Sequence, residues 1–261
     1  RFIGEKVAAV AAETRLAAEQ ALELIDVEYE ELEPLLDPVE AAKPDAPVLH
    51  PDLLTYKGLP VPLDSVSNVV AYLKWGKGDI EEGFKQADVI VENTYTTQVT
   101  HQSYLEPHAC VVKAEASGGA EVWSCSKTPF AVRGQLSNCI GIAKEKLIFH
   151  PMHIGGDFGG KGGFMDVPVA YFLSKKSGQA EKMVMDYTEE LTAGNPRHAS
   201  IIKIKTGVKK NGAIVAHHID FLFDTGAYDP YGLTIPFNTQ CTLLGPYDIP
   251  SYGSEFTAVF T

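Results

Sequence analysis

Cysteine is scarce: the 261 residues hold Cys110, Cys125, Cys139 and Cys241, with no C-x-x-C pair anywhere. Neither a zinc ribbon nor a ferredoxin-type cluster finds its ligands in such a set, and four buried free thiols in a reducing, cytoplasmic compartment are expected. Long apolar runs are also missing. The longest, such as Val7 to Ala12, reach about a third of the roughly 20 residues a membrane helix needs, so no membrane association is expected. Positive charge is short as well, with 22 Lys and Arg against 34 Asp and Glu and a formal net charge of −12. No basic cluster offsets that repulsion, so nucleic acid is not expected as a partner. What is present, 45% hydrophobic and 21% charged residues, is ordinary globular composition and excludes disorder of the whole chain. The chain opens at Arg1 with no signal peptide and stops at Thr257 to Thr261 inside what reads as a strand, so a piece of a longer polypeptide is expected.

Local signals divide the chain. Lys6 to Ala12 reads as a strand, and a helix follows from the N-cap Thr14 to about Ile25, with Ala17, Ala18, Ala21, Leu24 and Ile25 on one face. Val27 to Glu30 resumes strand alternation. Pro34, Pro38, Pro44, Pro47, Pro51, Pro60 and Pro62 then crowd residues 33–62, too densely for a helix or an interior strand, and predict a linker wrapping a surface. Beyond it, Ala87 to Val99 alternates as a strand, and Cys110 to Ala116 and Glu121 to Cys125 form an antiparallel pair around the turn Ser117-Gly118-Gly119. Thr128-Pro129 starts a helix whose buried stripe is Val132, Leu136, Cys139 and Ile140. A strand over Lys146 to His153, a helix from Asp166 to Lys176 ended by Gly178, and strands near 182–188, 200–206 and 214–223 complete a mixed α/β or α+β chain of two units.

Six glycines lie between Gly155 and Gly163, between a strand and a helix. Such a loop offers many backbone N–H groups and few side chains, which suits close approach to an oxygen-rich or phosphate ligand. Gly155 to Lys161 satisfies G-x-x-x-x-G-K, but Gly162 stands where a P-loop requires Ser or Thr to hold magnesium. Read as G-x-G-x-x-G, the stretch lacks its middle glycine, because Asp157 stands there. His150 and His153, three apart on a strand, point to opposite faces, so no metal shared by side chains is expected.

Gly155-Gly156-Asp157-Phe158-Gly159-Gly160-Lys161 resembles the G-G-G-F-G-G-K loop of the molybdenum-binding large subunit of the xanthine dehydrogenase and aldehyde oxidase family. Gly4 to Ala11 with Val27 to Leu32, then His101 to His108, then the loop, then Asp224 to Tyr228 follow that family's order, so the resemblance covers nearly the whole chain. It implies an α+β fold, with residues 1–62 as the later part of a hammerhead-like α/β domain plus the Pro-rich linker, and residues 63–261 as the first part of a molybdopterin-binding domain. It implies a molybdenum–molybdopterin cofactor and hydroxylation of an aldehyde or N-heterocycle with oxygen from water, with electrons leaving through iron–sulfur and flavin subunits or domains. Two other readings stay open: a non-catalytic, partner-binding domain, and a P-loop-like nucleotide-binding protein.

The resemblance places Phe158 beside the metal and substrate, and Gly155, Gly156, Gly159 and Gly160 as backbone contacts to the cofactor. Lys127 stands where the family carries a glutamine that donates to an oxygen ligand of molybdenum, and would bring a full positive charge there. Asp157 departs from the family's glycine, and a carboxylate beside an anionic cofactor is expected to turn outward. Glu106 is expected to position the loop layer. The family's general-base glutamate belongs beyond Thr261, so no residue is assigned as base. Gly162, where the family's purine-binding members carry an acidic residue, argues against xanthine-type substrates.

Overall fold

The computed structural model describes residues 1–56, 63–232 and 234–261. Its strands are β1 (Val69–Lys77), β2 (Val89–Thr97), β3 (Ala109–Ala114), β4 (Ala120–Ser124), β5 (Leu147–Pro151), β6 (Glu181–Val184), β7 (Ala199–Val208), β8 (Ile214–Gly226) and β9 (Ser251–Phe260). Its helices are α1 (Arg15–Leu22), α2 (Pro38–Ala41), α3 (Ile80–Lys85), α4 (Pro129–Ile140), α5 (Val167–Ser177), α6 (Tyr187–Ala193) and α7 (Thr234–Thr242). They fall into two compact units, one of residues 1–32 with 101–197 and one of residues 33–100 with 198–261.

In the unit of residues 33–100 and 198–261, five strands lie in the order β1-β9-β8-β7-β2. β8 and β9 run parallel and the other pairs antiparallel. One face buries Val70, Ile219, Phe221, Phe223 and Phe256 with Leu53, the three phenylalanine rings stacking nearly parallel. β2 alternates as its sequence predicts but pairs only with β7 at the sheet edge, and every one of its residues is exposed. The Pro-rich stretch is not a free linker. Ala41, His50 and Leu53 are buried, and the Asn68 amide donates to the carbonyls of Ala41 and Pro47 while its Oδ1 accepts from Leu49 N–H. Proline removes backbone donors without preventing side-chain burial, so a segment too broken for ladders still packs. Pro60, Pro62 and the 62/63 boundary fall at residues 57–62, outside the described residues.

In the unit of residues 1–32 and 101–197, four strands lie in the order β5-β4-β3-β6. Val112, Val122 and Leu147 of the sheet pack against Leu136 of α4 and Val167, Ala170 and Tyr171 of α5. Proline in the first turn starts both helices, and the left-handed Gly141 and Gly178 end them. The expected helix at the N-terminus is found with Thr14 Oγ1 accepting from Ala17 N–H, but it buries no residue. The strands expected at Lys6 to Ala12 and Val27 to Glu30 are absent among the described residues. Strand backbone needs a neighbour to bond, and neither segment is paired into either described sheet. The thiols also differ from expectation: Cys110 and Cys125 are buried, whereas Cys139 and Cys241 are exposed. Cys139 has the helical angle of the Val132 and Leu136 stripe but stands in the last turn of α4, two residues before Gly141.

Candidate functional site

The glycine loop lies within the unit of residues 1–32 and 101–197, after β5 and before α5. Segment 101–108 and the turn leaving β4 hold it. Glu106 N–H donates to the Gly155 carbonyl at 3.2 Å, and Gly155 N–H donates back to Glu106 Oε2 at 2.8 Å. The same Oε2 receives the Lys161 ammonium at 2.7 Å, so one carboxylate ties both ends of the loop. Lys127 N–H and the Ser126 hydroxyl donate to the Lys161 carbonyl, and the Thr128 hydroxyl donates to Gly162 O. Glu106 therefore positions the loop, as expected. Burial works against its charge, but Lys161 and the Gly155 N–H hold its carboxyl below the usual value.

The Lys161 side chain is fully buried, its ammonium 4.7 Å from the centroid of the Tyr104 ring. Tyr104 explains two of the glycines. A Cβ on Gly160 would lie 2.6 Å from its Cε1, and one on Gly156 would lie 2.9 Å from its Cβ; a Cβ on Gly155 would meet Glu106 Cβ at 2.6 Å. These positions are glycine because the chain's own segment 104–106 packs there. Gly160→Ala is expected to lower stability by about 1–3 kcal/mol through overpacking against a buried ring. Gly134→Ala, inside α4 with open space around it, is expected to raise stability by about 0.5–1 kcal/mol. Chemical denaturation of the two variants checks the opposite signs.

Asp157 does not turn outward. Its Oδ2 accepts from Gly159 N–H at 3.0 Å and its Oδ1 from Lys161 N–H at 2.6 Å. The Lys127 ammonium stands 3.3 Å from Oδ2. A carboxylate surrounded by three donors gains more from facing them than from solvent. Lys127 therefore lies on the loop, as its sequence position predicts, with its charge set against a carboxylate. The inward N–H groups of Gly155, Gly159, Gly160 and Lys161 are engaged by Glu106 or Asp157. Those of Gly156, Asp157 and Phe158 have no partner among the described residues. Phe158 sits at this tip with φ of +44°, 65% exposed, its carbonyl accepting from Arg197 Nη2 at 3.1 Å.

A buried carboxylate that the sequence reading missed supports the segment from its other side. Glu190 of α6 accepts from the Tyr104 hydroxyl, from His108 N–H at 2.7 Å and from His108 Nδ1–H at 2.8 Å. Burial opposes its charge, yet His108 and Tyr104 hold its carboxyl at about 2. A groove of about 450 Å³ runs from Glu106 along the sheet past Trp123, Met152 and Val184. Cys110 lines it, and burial pushes that thiol up to about 12, favouring its protonated form. His150 stacks on Trp123 and meets Glu121 at 3.0 Å. Elsewhere among the described residues, His218, Asp220 and Glu255 bring donor atoms within 4.8 Å of one another, but Glu255 already accepts from Lys74 and Tyr72. No described helix is long and apolar enough to cross a membrane.

Residues 63–261 match the family described as "Molybdopterin cofactor-binding domain". The whole chain is 35% identical to a probable xanthine dehydrogenase subunit of Bacillus subtilis, of which it covers 33%. It is 30% identical to the nicotinate dehydrogenase large molybdopterin subunit of Eubacterium barkeri, of which it covers 58%. The chain thus spans only part of these relatives. Among solved structures, 95% of it superposes on reconstituted CO dehydrogenase from Oligotropha carboxidovorans with TM-score 0.79 and 29% identity, covering 31% of that chain. The fold also matches the aldehyde oxidoreductase of Desulfovibrio gigas, with TM-score 0.83 over 96% of this chain and 26% of the other at 22% identity.

Proposed function

Because this chain belongs to the molybdopterin cofactor-binding family, we propose that its glycine loop faces molybdopterin, with Lys127, Gly155, Gly156, Phe158, Gly159 and Gly160 forming the surface that meets it. The observation that carries this reading is the loop tip. The consecutive N–H groups of Gly156, Asp157 and Phe158 are unpartnered among the described residues and stand beside an exposed aromatic ring. Backbone donors of this kind suit an acceptor-rich group, and they need no side chain to reach it. When bound, molybdopterin supplies a molybdenum centre able to take two electrons from a substrate. The chain's own part is to donate at the tip, to present Phe158 and to keep the loop rigid through Glu106, Asp157 and Glu190.

In the complete protein we assign oxidation of an aldehyde or N-heterocycle with water-derived oxygen, and electron transfer to iron–sulfur and flavin partners. The general base is assigned outside residues 1–261. Residues 1–62 are proposed as part of a hammerhead-like domain and 63–261 as the first part of the cofactor-binding domain, in a cytoplasmic enzyme whose cysteines stay reduced. The nucleotide reading is disfavoured by Asp157, whose carboxylate occupies the N–H groups of Gly159 and Lys161 that a phosphate would need. Metal and pterin analysis of the full-length protein tests the proposal. Molybdenum and pterin in equal amounts are expected. A protein free of both, whose loop is protected by a nucleotide, would overturn it.

A further inference from the structure

Loops rich in glycine N–H groups ordinarily await an anion from outside. Half of this loop already has one. Gly159 N–H, Lys161 N–H and the Lys127 ammonium converge on the Asp157 carboxylate at 3.0, 2.6 and 3.3 Å. We infer that Asp157 is the positioning residue of the loop: its carboxylate is a resident anion in a nest formed by Gly159, Lys161 and Lys127, and this clamp holds Phe158 in its exposed, left-handed conformation.

Three features support the clamp. Asp157 and Gly159 flank Phe158 directly, so a bond from Gly159 N–H to the Asp157 carboxylate closes a ring of backbone around it. Phe158 has φ of +44°, a conformation that a bulky residue keeps only when its surroundings over-determine it. Arg197 fixes the Phe158 carbonyl from another element, so the residue is gripped on both sides of its α-carbon. Phe158 is 65% exposed, so burial in a core does not set this geometry. Lys127 is the counter-charge, and its N–H bond to the Lys161 carbonyl brings it to the nest at a fixed position. Its positive charge is therefore balanced inside the chain and is not delivered uncompensated to whatever the tip binds.

The clamp belongs to the loop's own atoms, so it is tested without reference to molybdenum and can fail independently of the cofactor reading. Hydrogen exchange of the segment 155–163 is followed by mass spectrometry in the full-length protein. Asp157→Gly is expected to speed exchange about tenfold or more, the loss of charge-assisted bonds to two amides. Added formate should restore the slow exchange by refilling the nest. In Asp157→Gly combined with Lys127→Met, formate should have no effect. A merely flexible glycine would not respond to formate, so the rescue separates the clamp from a general loosening. Asp157→Asn, which keeps an acceptor of the same shape, should lie between wild type and Asp157→Gly and provides the comparison if the glycine variant does not fold. Exchange unchanged in both variants, or acceleration that formate does not reverse, would overturn the inference.

Discussion

Glu106→Leu in the full-length protein is expected to lose about 3–5 kcal/mol of stability, while Lys161→Met at the other end of the same ion pair loses no more than about 1–2 kcal/mol. The asymmetry follows from burial: the Lys161 side chain is 0% exposed and that of Glu106 is 38% exposed. Removing the carboxylate strands a buried ammonium beside the Tyr104 ring and frees the Gly155 N–H. Removing the ammonium leaves a carboxylate that water reaches and that still accepts from Gly155. Methionine also fills much of the volume the lysine chain occupied. Denaturant midpoints for the two variants decide the matter, and equal losses would contradict the burial argument.

The second large effect is at Glu190. Glu190→Leu leaves the Tyr104 hydroxyl, His108 N–H and His108 Nδ1–H without their acceptor inside a closed core. At about 1–3 kcal/mol for each stranded donor, the sum threatens the folding of residues 101–197. Glu190→Gln retains acceptor capacity and is expected to lose about half as much. The carboxyl also gives the wild type a pH signature. Its pKa is lowered in the folded state from 4.5 to about 2. The stabilisation, about 3 kcal/mol, is therefore fully present above pH 4.5 and is lost as pH falls toward 2. Thermal unfolding followed across that range should fall steeply for wild type and less so for Glu190→Gln. Parallel curves would exclude Glu190 as the source.

The elements legible in the sequence were those with local signatures. Thr128-Pro129 and Gly141 bound α4, the 117–119 turn sets the β3–β4 pair, and Lys209 to Gly212 joins β7 to β8. β1 carries no local signature, and β9 shows one only at its end. Both are fixed by pairing across the chain: Tyr72 lies against Thr257, and β9 runs parallel to β8. The site divides the same way. The glycines, Phe158, Lys127 and the positioning role of Glu106 were visible as a motif in its order. Glu190 was not, because residues 182–188 read as one strand, whereas β6 ends at Val184 and Asp186 with Glu189 caps the start of α6. The burial of Glu190 depends on Tyr104 and His108, more than 80 positions upstream. Asp157 faces inward, against the expectation from an anionic cofactor, because the loop itself supplies the donors its carboxylate needs.

The most direct measurement is anomalous diffraction at the molybdenum absorption edge from crystals of the full-length protein. The expected result is a single molybdenum peak beside the backbone of Gly156 to Phe158, with its ligands in reach of the free N–H groups there. A molybdenum peak remote from this loop, or a loop holding a nucleotide phosphate, would contradict the account.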